Sequence, residues 1–196
     1  MYAGFLDLNM PMWATVDGVL SPDECRRYID RFEAGQPELA PVIRADGVGI
    51  DEDVRNNERV MWDDGDEANG LLAALRARMD AEGQPFPDSF RGDALVGANP
   101  RLRVYRYRPG QRHGTHWDTE VELDGGATVS RLTLVIYLNA DFEGGQTRFP
   151  ELEVSVSAQQ GRALWFQHRV LHEACAVEAG AKYVLRTDLL YRARGG

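Results

Sequence analysis

Two periodicities divide the chain. Up to about residue 100 the apolar residues recur at helical spacing; beyond it they alternate or run together in short stretches. Ser21, Pro22, Asp23 and Glu24 form a helix start. The pattern is a hydroxyl cap, proline at the first helical position and Glu three residues after the cap. Tyr28, Ile29 and Phe32 give this helix a buried stripe, and it is predicted to end near Glu33 with Gly35 as the stop. Ala68, Leu71, Leu72, Leu75 and Met79 predict a second helix over residues 66–82, stopped by Gly83. The Asp-, Gly- and Asn-rich segment between them reads as a loop with one short strand at residues 59–62.

From Arg101 the texture is that of strands. RLRVYRY (101–107) alternates and meets a Pro109-Gly110 turn. RLTLVIYLN (131–139) is nearly continuous in apolar character, as expected of a strand buried on both faces. The turn Glu143-Gly144-Gly145 precedes QTRFP, LEVSVS (152–157), RALWFQ (162–167) and KYVLRTDLLY (182–191). Short strands between Gly-containing turns indicate a sandwich or barrel. Helices first and strands after indicate an α+β fold, with the helices backing a β-barrel-like core. At 196 residues the chain is expected to form one domain, residues 1–100 supporting a strand-built core over 101–196.

Composition narrows the possibilities only modestly. Hydrophobic residues make up 43%, enough for a core, and the net charge is −9. That charge argues against a nucleic-acid backbone or an anionic membrane as the main partner. Cys25 and Cys175 lie far apart with no CxxC spacing, the pattern of reduced thiols in a cytoplasmic protein. The opening MYAGFLDLNMPMW has neither a basic start nor a long apolar run, so neither a signal peptide nor a transmembrane segment is expected.

Candidate chemistry concentrates in HGTHWDTE (113–120), which holds two of the four histidines. On a strand or at its end, His116 and Asp118 project from one face, so an imidazole nitrogen and a carboxylate oxygen converge. A third ligand must come from elsewhere, and His168 and His172 are the histidines available; His113 is too close to join comfortably. Two histidines and one carboxylate leave coordination positions open, the ligand set of non-haem Fe(II) oxygenases. By itself an HxD pair is more commonly a structural His–Asp hydrogen bond in an exposed turn than a metal site.

Three stretches decide the context: YRPGQRHGTHWDTE, RLTLVIYLNADFEGGQTRFP and GRALWFQHRVLHEACAVEAGAKYVLRTDLLY. In their order and spacing they resemble the prolyl 4-hydroxylase-like branch of the Fe(II)/2-oxoglutarate-dependent dioxygenases, over a little under half the chain. The resemblance implies a double-stranded β-helix, a jelly-roll or cupin-like barrel backed by the N-terminal helices. It implies Fe(II) held by His116, Asp118 and His172, with 2-oxoglutarate as cosubstrate, O2 as oxidant and ascorbate as an accessory reductant. Lys182 falls where the family places the basic residue that pairs with the far carboxylate of 2-oxoglutarate, with Arg186 as rival. Residues 182, 184 and 186 of a strand share a face, so both can point inward. Tyr107 and Tyr137 match phenols near that carboxylate, or are core aromatics with satisfied hydroxyls. VRNNERV (54–60) matches an early strand lining the site, where Arg55, Asn56, Asn57 and Arg59 could face a substrate carboxylate or amide.

The implied activity is hydroxylation of an unactivated C–H bond in a small molecule, an amino acid or a prolyl or peptidyl residue. The alternative is a barrel that binds a metal or carboxylate without turnover, as a sensor or binding module.

Overall fold

The computed structural model describes residues 5–44 and 47–192. Helix α1 (Pro22–Ala34) starts with the capping arrangement its sequence predicts. The Ser21 hydroxyl accepts from the Glu24 amide at 3.3 Å, and the Ser21 amide donates back to the Glu24 carboxylate at 2.8 Å. Its buried stripe is Cys25 and Phe32, with Tyr28 and Ile29 only half-buried. Helix α2 (Gly65–Ala81) is capped by Asp64, which accepts from the Glu67 amide at 2.9 Å. It buries Ala68, Leu71, Leu75 and Met79. Gly83 follows in the left-handed region, at φ 66°.

One large antiparallel sheet organises the molecule. Its strands run in the order Trp13–Val16, Ala163–Gln167, Thr128–Tyr137, Lys182–Arg192, Arg101–Tyr107, Glu58–Asp63 and Glu38–Leu39. The pleat gives each strand two jobs. Leu102, Val104, Leu132, Leu134, Ile136, Trp165 and Leu185 pack in a core shared with α1 and α2. The alternate positions, Tyr105, Tyr107, Tyr137, Leu164, Phe166 and Val184, turn to the other side. This explains why 131–139 reads as unbroken apolar sequence: both of its faces are covered.

A second sheet faces the first. Its order is Val154–Val156, Thr147–Phe149, His172–Ala174 and His113–His116. Phe149 and Val156 carry its contribution to the inter-sheet core. The space between the sheets, away from the helices, holds the site.

Several strands form where none is expected, the pair at 42–44 and 47–49 within the segment read as a loop. Trp13–Val16, Asp93–Ala98 and the paired Val42–Arg44 and Gly47–Gly49 are strands. Trp13–Val16 pairs with Ala163–Gln167, and Asp93–Ala98 pairs with Lys182–Arg192. Those partners lie far along the chain, and local periodicity over four to six residues carries no trace of them.

Candidate active site

The two sheets bring His116, Asp118 and His172 together. His116 and His172 stand directly opposite each other on paired antiparallel strands. Asp118 lies two residues beyond His116, where its amide donates to the His168 carbonyl at 2.8 Å. One ligand atom from each of the three lies within 4.8 Å of the others. His116 Nε2 is 3.7 Å from Asp118 Oδ1, and His172 Nε2 is 3.7 Å from Asp118 Oδ2.

The backbone sets which nitrogen is free. His116 Nδ1 is 2.8 Å from the Gly114 carbonyl, and His172 Nδ1 is 3.0 Å from the Val170 carbonyl. A carbonyl can only accept, so Nδ1 carries the proton and each Nε2 presents its lone pair. Burial lowers both imidazole pKa values, with the neighbouring imidazole adding to the fall at His116, which drops to about 3. Both rings are therefore neutral ligands at neutral pH. Burial alone would raise the Asp118 pKa, but Arg186 and then the surrounding imidazoles hold it well below the usual carboxylate range. The Thr133 hydroxyl also donates to Asp118 Oδ2. Two neutral imidazoles and a fixed carboxylate form a donor set that fits a divalent transition metal.

His113 and His168 stay outside the set. His113 is buried and stacks on His116 with ring centroids 3.6 Å apart, supporting its orientation. His168 sits in the turn after Ala163–Gln167 but is buried, with only 2% exposed; its Nε2 faces Asp188 at 3.8 Å.

The cavity beside the three holds about 480 Å³ of atom-free space, its open mouth included, and Arg55, Tyr105, Tyr107, Lys182 and Arg186 are among its lining. Lys182 and Arg186 share a face of one strand, opposite Tyr107 and Arg103 respectively. Their surroundings differ. Arg186 reaches Asp118 at 3.0 Å and Asp188 at 3.3 Å. Lys182 is 2% exposed and donates to the Gly145 carbonyl at 2.7 Å. Its ammonium lies 5.2 Å from the centre of the Tyr107 ring and 5.6 Å from that of Tyr137. No carboxylate among the described residues pairs with it, and burial pulls its pKa down to about 8. Gly145 can approach because it adopts φ 66°, and a Cβ there would crowd Lys182 Cδ at 3.3 Å.

Tyr107 lines the cavity, and burial pushes its phenol up to about 12. Tyr137 is buried behind, its hydroxyl 2.7 Å from that of Thr147, and it is not among the lining residues. Of the VRNNERV polar residues, Arg55 reaches the cavity. Arg59 instead pairs with Glu38 at 2.8 Å, and the Asn56 side chain accepts from the Arg112 amide at 2.8 Å. Thr133, Tyr105 and Phe166 also line the site. Their only sequence signal is position: each occupies the strand face opposite the helix-facing leucines and tryptophan.

Comparison with known proteins agrees with this geometry. Residues 102–187 match the model of the 2OG-Fe(II) oxygenase superfamily. Prolyl 4-hydroxylase 13 of Arabidopsis thaliana is 25% identical over 188 residues, covering 82% of this chain; the chain spans 64% of that relative's length. The viral collagen prolyl hydroxylase of Paramecium Bursaria Chlorella virus-1, solved with 2OG, superposes with TM-score 0.65 at 22% identity, covering 94% of this chain and 98% of that one. The Trichoplax adhaerens prolyl hydroxylase, solved with a hypoxia-inducible-factor peptide fragment, gives TM-score 0.65 at 17% identity over 93% of this chain and 84% of that one. The two facing sheets thus have the double-stranded β-helix fold backed by helices, and the chain is similar, over residues 102–187, to the 2OG-Fe(II) oxygenase superfamily and, more distantly along its length, to prolyl 4-hydroxylases.

Proposed function

We propose that this chain is an Fe(II)- and 2-oxoglutarate-dependent hydroxylase acting on a small-molecule or peptide substrate, working as one catalytic domain. The observation that carries the reading is the pairing, in one cavity, of a His/Asp/His donor set with a buried lysine that no carboxylate among the described residues neutralises. Bound Fe(II), with 2-oxoglutarate and O2, supplies the oxidative chemistry: 2-oxoglutarate gives succinate and CO2, and one oxygen atom enters a substrate C–H bond.

The residues divide that task. His116 Nε2, His172 Nε2 and Asp118 would hold the metal, leaving its remaining positions open to the cavity. Lys182 would bind the far carboxylate of 2-oxoglutarate, with Tyr107 beside it. A buried ammonium costs stability unless paired, so that carboxylate supplies what the fold lacks. Arg186 serves a different purpose: by pairing with Asp118 it keeps the carboxylate ionised and oriented. Val135, Phe166 and Val184 line the cavity with apolar surface that limits water.

Anaerobic titration with Fe(II) and 2-oxoglutarate tests this directly. A weak visible charge-transfer band should appear, and in air succinate should form. A band without succinate under any substrate would mark a binding module; no band would end the proposal. Among the described residues no helix is long and apolar enough to cross a membrane.

A further inference from the structure

The cavity holds a second buried cation whose charge no carboxylate among the described residues answers. Arg55 is 7% exposed. Its Nε donates to Asn57 Oδ1 at 2.8 Å, and its Nη1 is 3.4 Å from the Pro41 carbonyl. Its guanidinium lies over the Tyr105 ring, 4.7 Å from the centre. All these partners are neutral, and no carboxylate among the described residues pairs with it. Two other arginines differ: the buried Arg106 has Glu33 and Glu58, each at 2.8 Å, and the half-buried Arg186 has Asp118 and Asp188.

Burial pushes the Tyr105 phenol up, but Arg55, Arg186 and Arg103 outweigh it and hold its pKa below the ordinary value. The positive field is therefore open to an anion. The guanidinium engages Asn57, the Pro41 carbonyl and the Tyr105 and Tyr107 phenols, all neutral groups, so its charge is left for a planar carboxylate to answer.

The place of Arg55 limits what that anion is. Its backbone bridges to His113, whose ring stacks on His116, and it lines the cavity shared by the three candidate ligands. On the oxygenase reading, on which this inference rests, the two carboxylates of 2-oxoglutarate are already assigned, one to the metal and one to Lys182. We propose that Arg55 binds a free carboxylate of the molecule being oxidised. The substrate is then a free amino acid or the terminal residue of a chain, oxidised a few bonds from its carboxylate, and not an internal residue of a polypeptide.

The test compares the standard L-amino acids, proline included, with their primary amides. Short peptides ending in the same residues, as acids and as amides, form a second arm that separates a free amino acid from a chain terminus. Two readouts are used: kcat and KM for succinate release, and anaerobic calorimetric binding to protein loaded with Fe(II) and 2-oxoglutarate. At least one acid should exceed its amide by about 100-fold in kcat/KM, mainly through KM, in line with a charge-assisted hydrogen-bond pair. R55M should erase that preference, and R55K should restore part of it. Equal use of acid and amide overturns the proposal, as does turnover of doubly capped internal peptides alone. It also falls if R55M raises the KM for 2-oxoglutarate and leaves the acid's KM untouched. Absence of the charge-transfer band would instead sink the oxygenase reading, and the same acid-over-amide comparison by calorimetry on the unloaded protein and its R55M variant would still decide the role of Arg55.

Discussion

Lys182 and Arg186 stand four residues apart on the same face of the same strand, and the fold treats them in opposite ways. Arg186 lies between two carboxylates, Asp118 and Asp188. Lys182 has a backbone carbonyl and two aromatic rings. The first is a finished ion pair inside the protein. The second is half of one, left for a ligand to complete. A buried cation is informative in proportion to what it lacks, because the desolvation penalty persists until something anionic arrives. Arg55 makes the same point at a third position.

The largest effect should come from the metal end of the comparison. His116→Ala, Asp118→Ala and His172→Ala should each abolish succinate formation. Each should also weaken Fe(II) binding by more than the roughly 10–100-fold expected for losing an outer partner. Any variant that keeps wild-type turnover removes that residue from the ligand set.

The two cations themselves provide the next test, and its value is that the signs differ. R186M leaves Asp118 buried without its cation and Asp188 with Arg103 alone, and should destabilise the fold by about 3–5 kcal/mol, the range for breaking a buried pair. K182M removes a charge that no carboxylate among the described residues pairs with, so the ligand-free protein should be as stable as wild type or more so, while 2-oxoglutarate binding is lost. Thermal melts with and without 2-oxoglutarate read both outcomes. If K182M destabilises as much as R186M, Lys182 already has a hidden partner and the comparison collapses.

How much of this was visible in the sequence follows from the range of each interaction. The capping box of α1 and the apolar stripe of α2 are local, and the structure keeps both. His116 and Asp118 are two residues apart, so their convergence is also a local fact. That Lys182 and Arg186 point the same way follows from the period of two. Which of them is neutralised does not, because Asp118 lies 68 positions before Arg186 and reaches it only through the sheets. Arg55 is harder still. Its setting depends on a bridge to His113 and on a short segment at Pro41, and RNN read alone is a polar turn.

The smallest expected effect concerns pH, and it sharpens the contrast because only an unpaired lysine produces it. Lys182 has a folded pKa of about 8, below its ordinary 10.5. The unfolded chain therefore holds the proton more tightly between those values, and the penalty of burying the charge is complete below pH 8. As pH rises through that window, the penalty fades and the ligand-free fold gains stability relative to K182M. Affinity for 2-oxoglutarate moves the other way, because its carboxylate pairs with the ammonium; it should fall above pH 8, by at most about tenfold per unit. The groups facing Lys182 do not interfere early: burial raises the pKa of Tyr107, Tyr137 and the Cys175 thiol alike. K182R should flatten the profile, since a guanidinium does not titrate there. A wild-type affinity that stays level from pH 7 to pH 9.5 would mean that the ammonium is not what the cosubstrate meets.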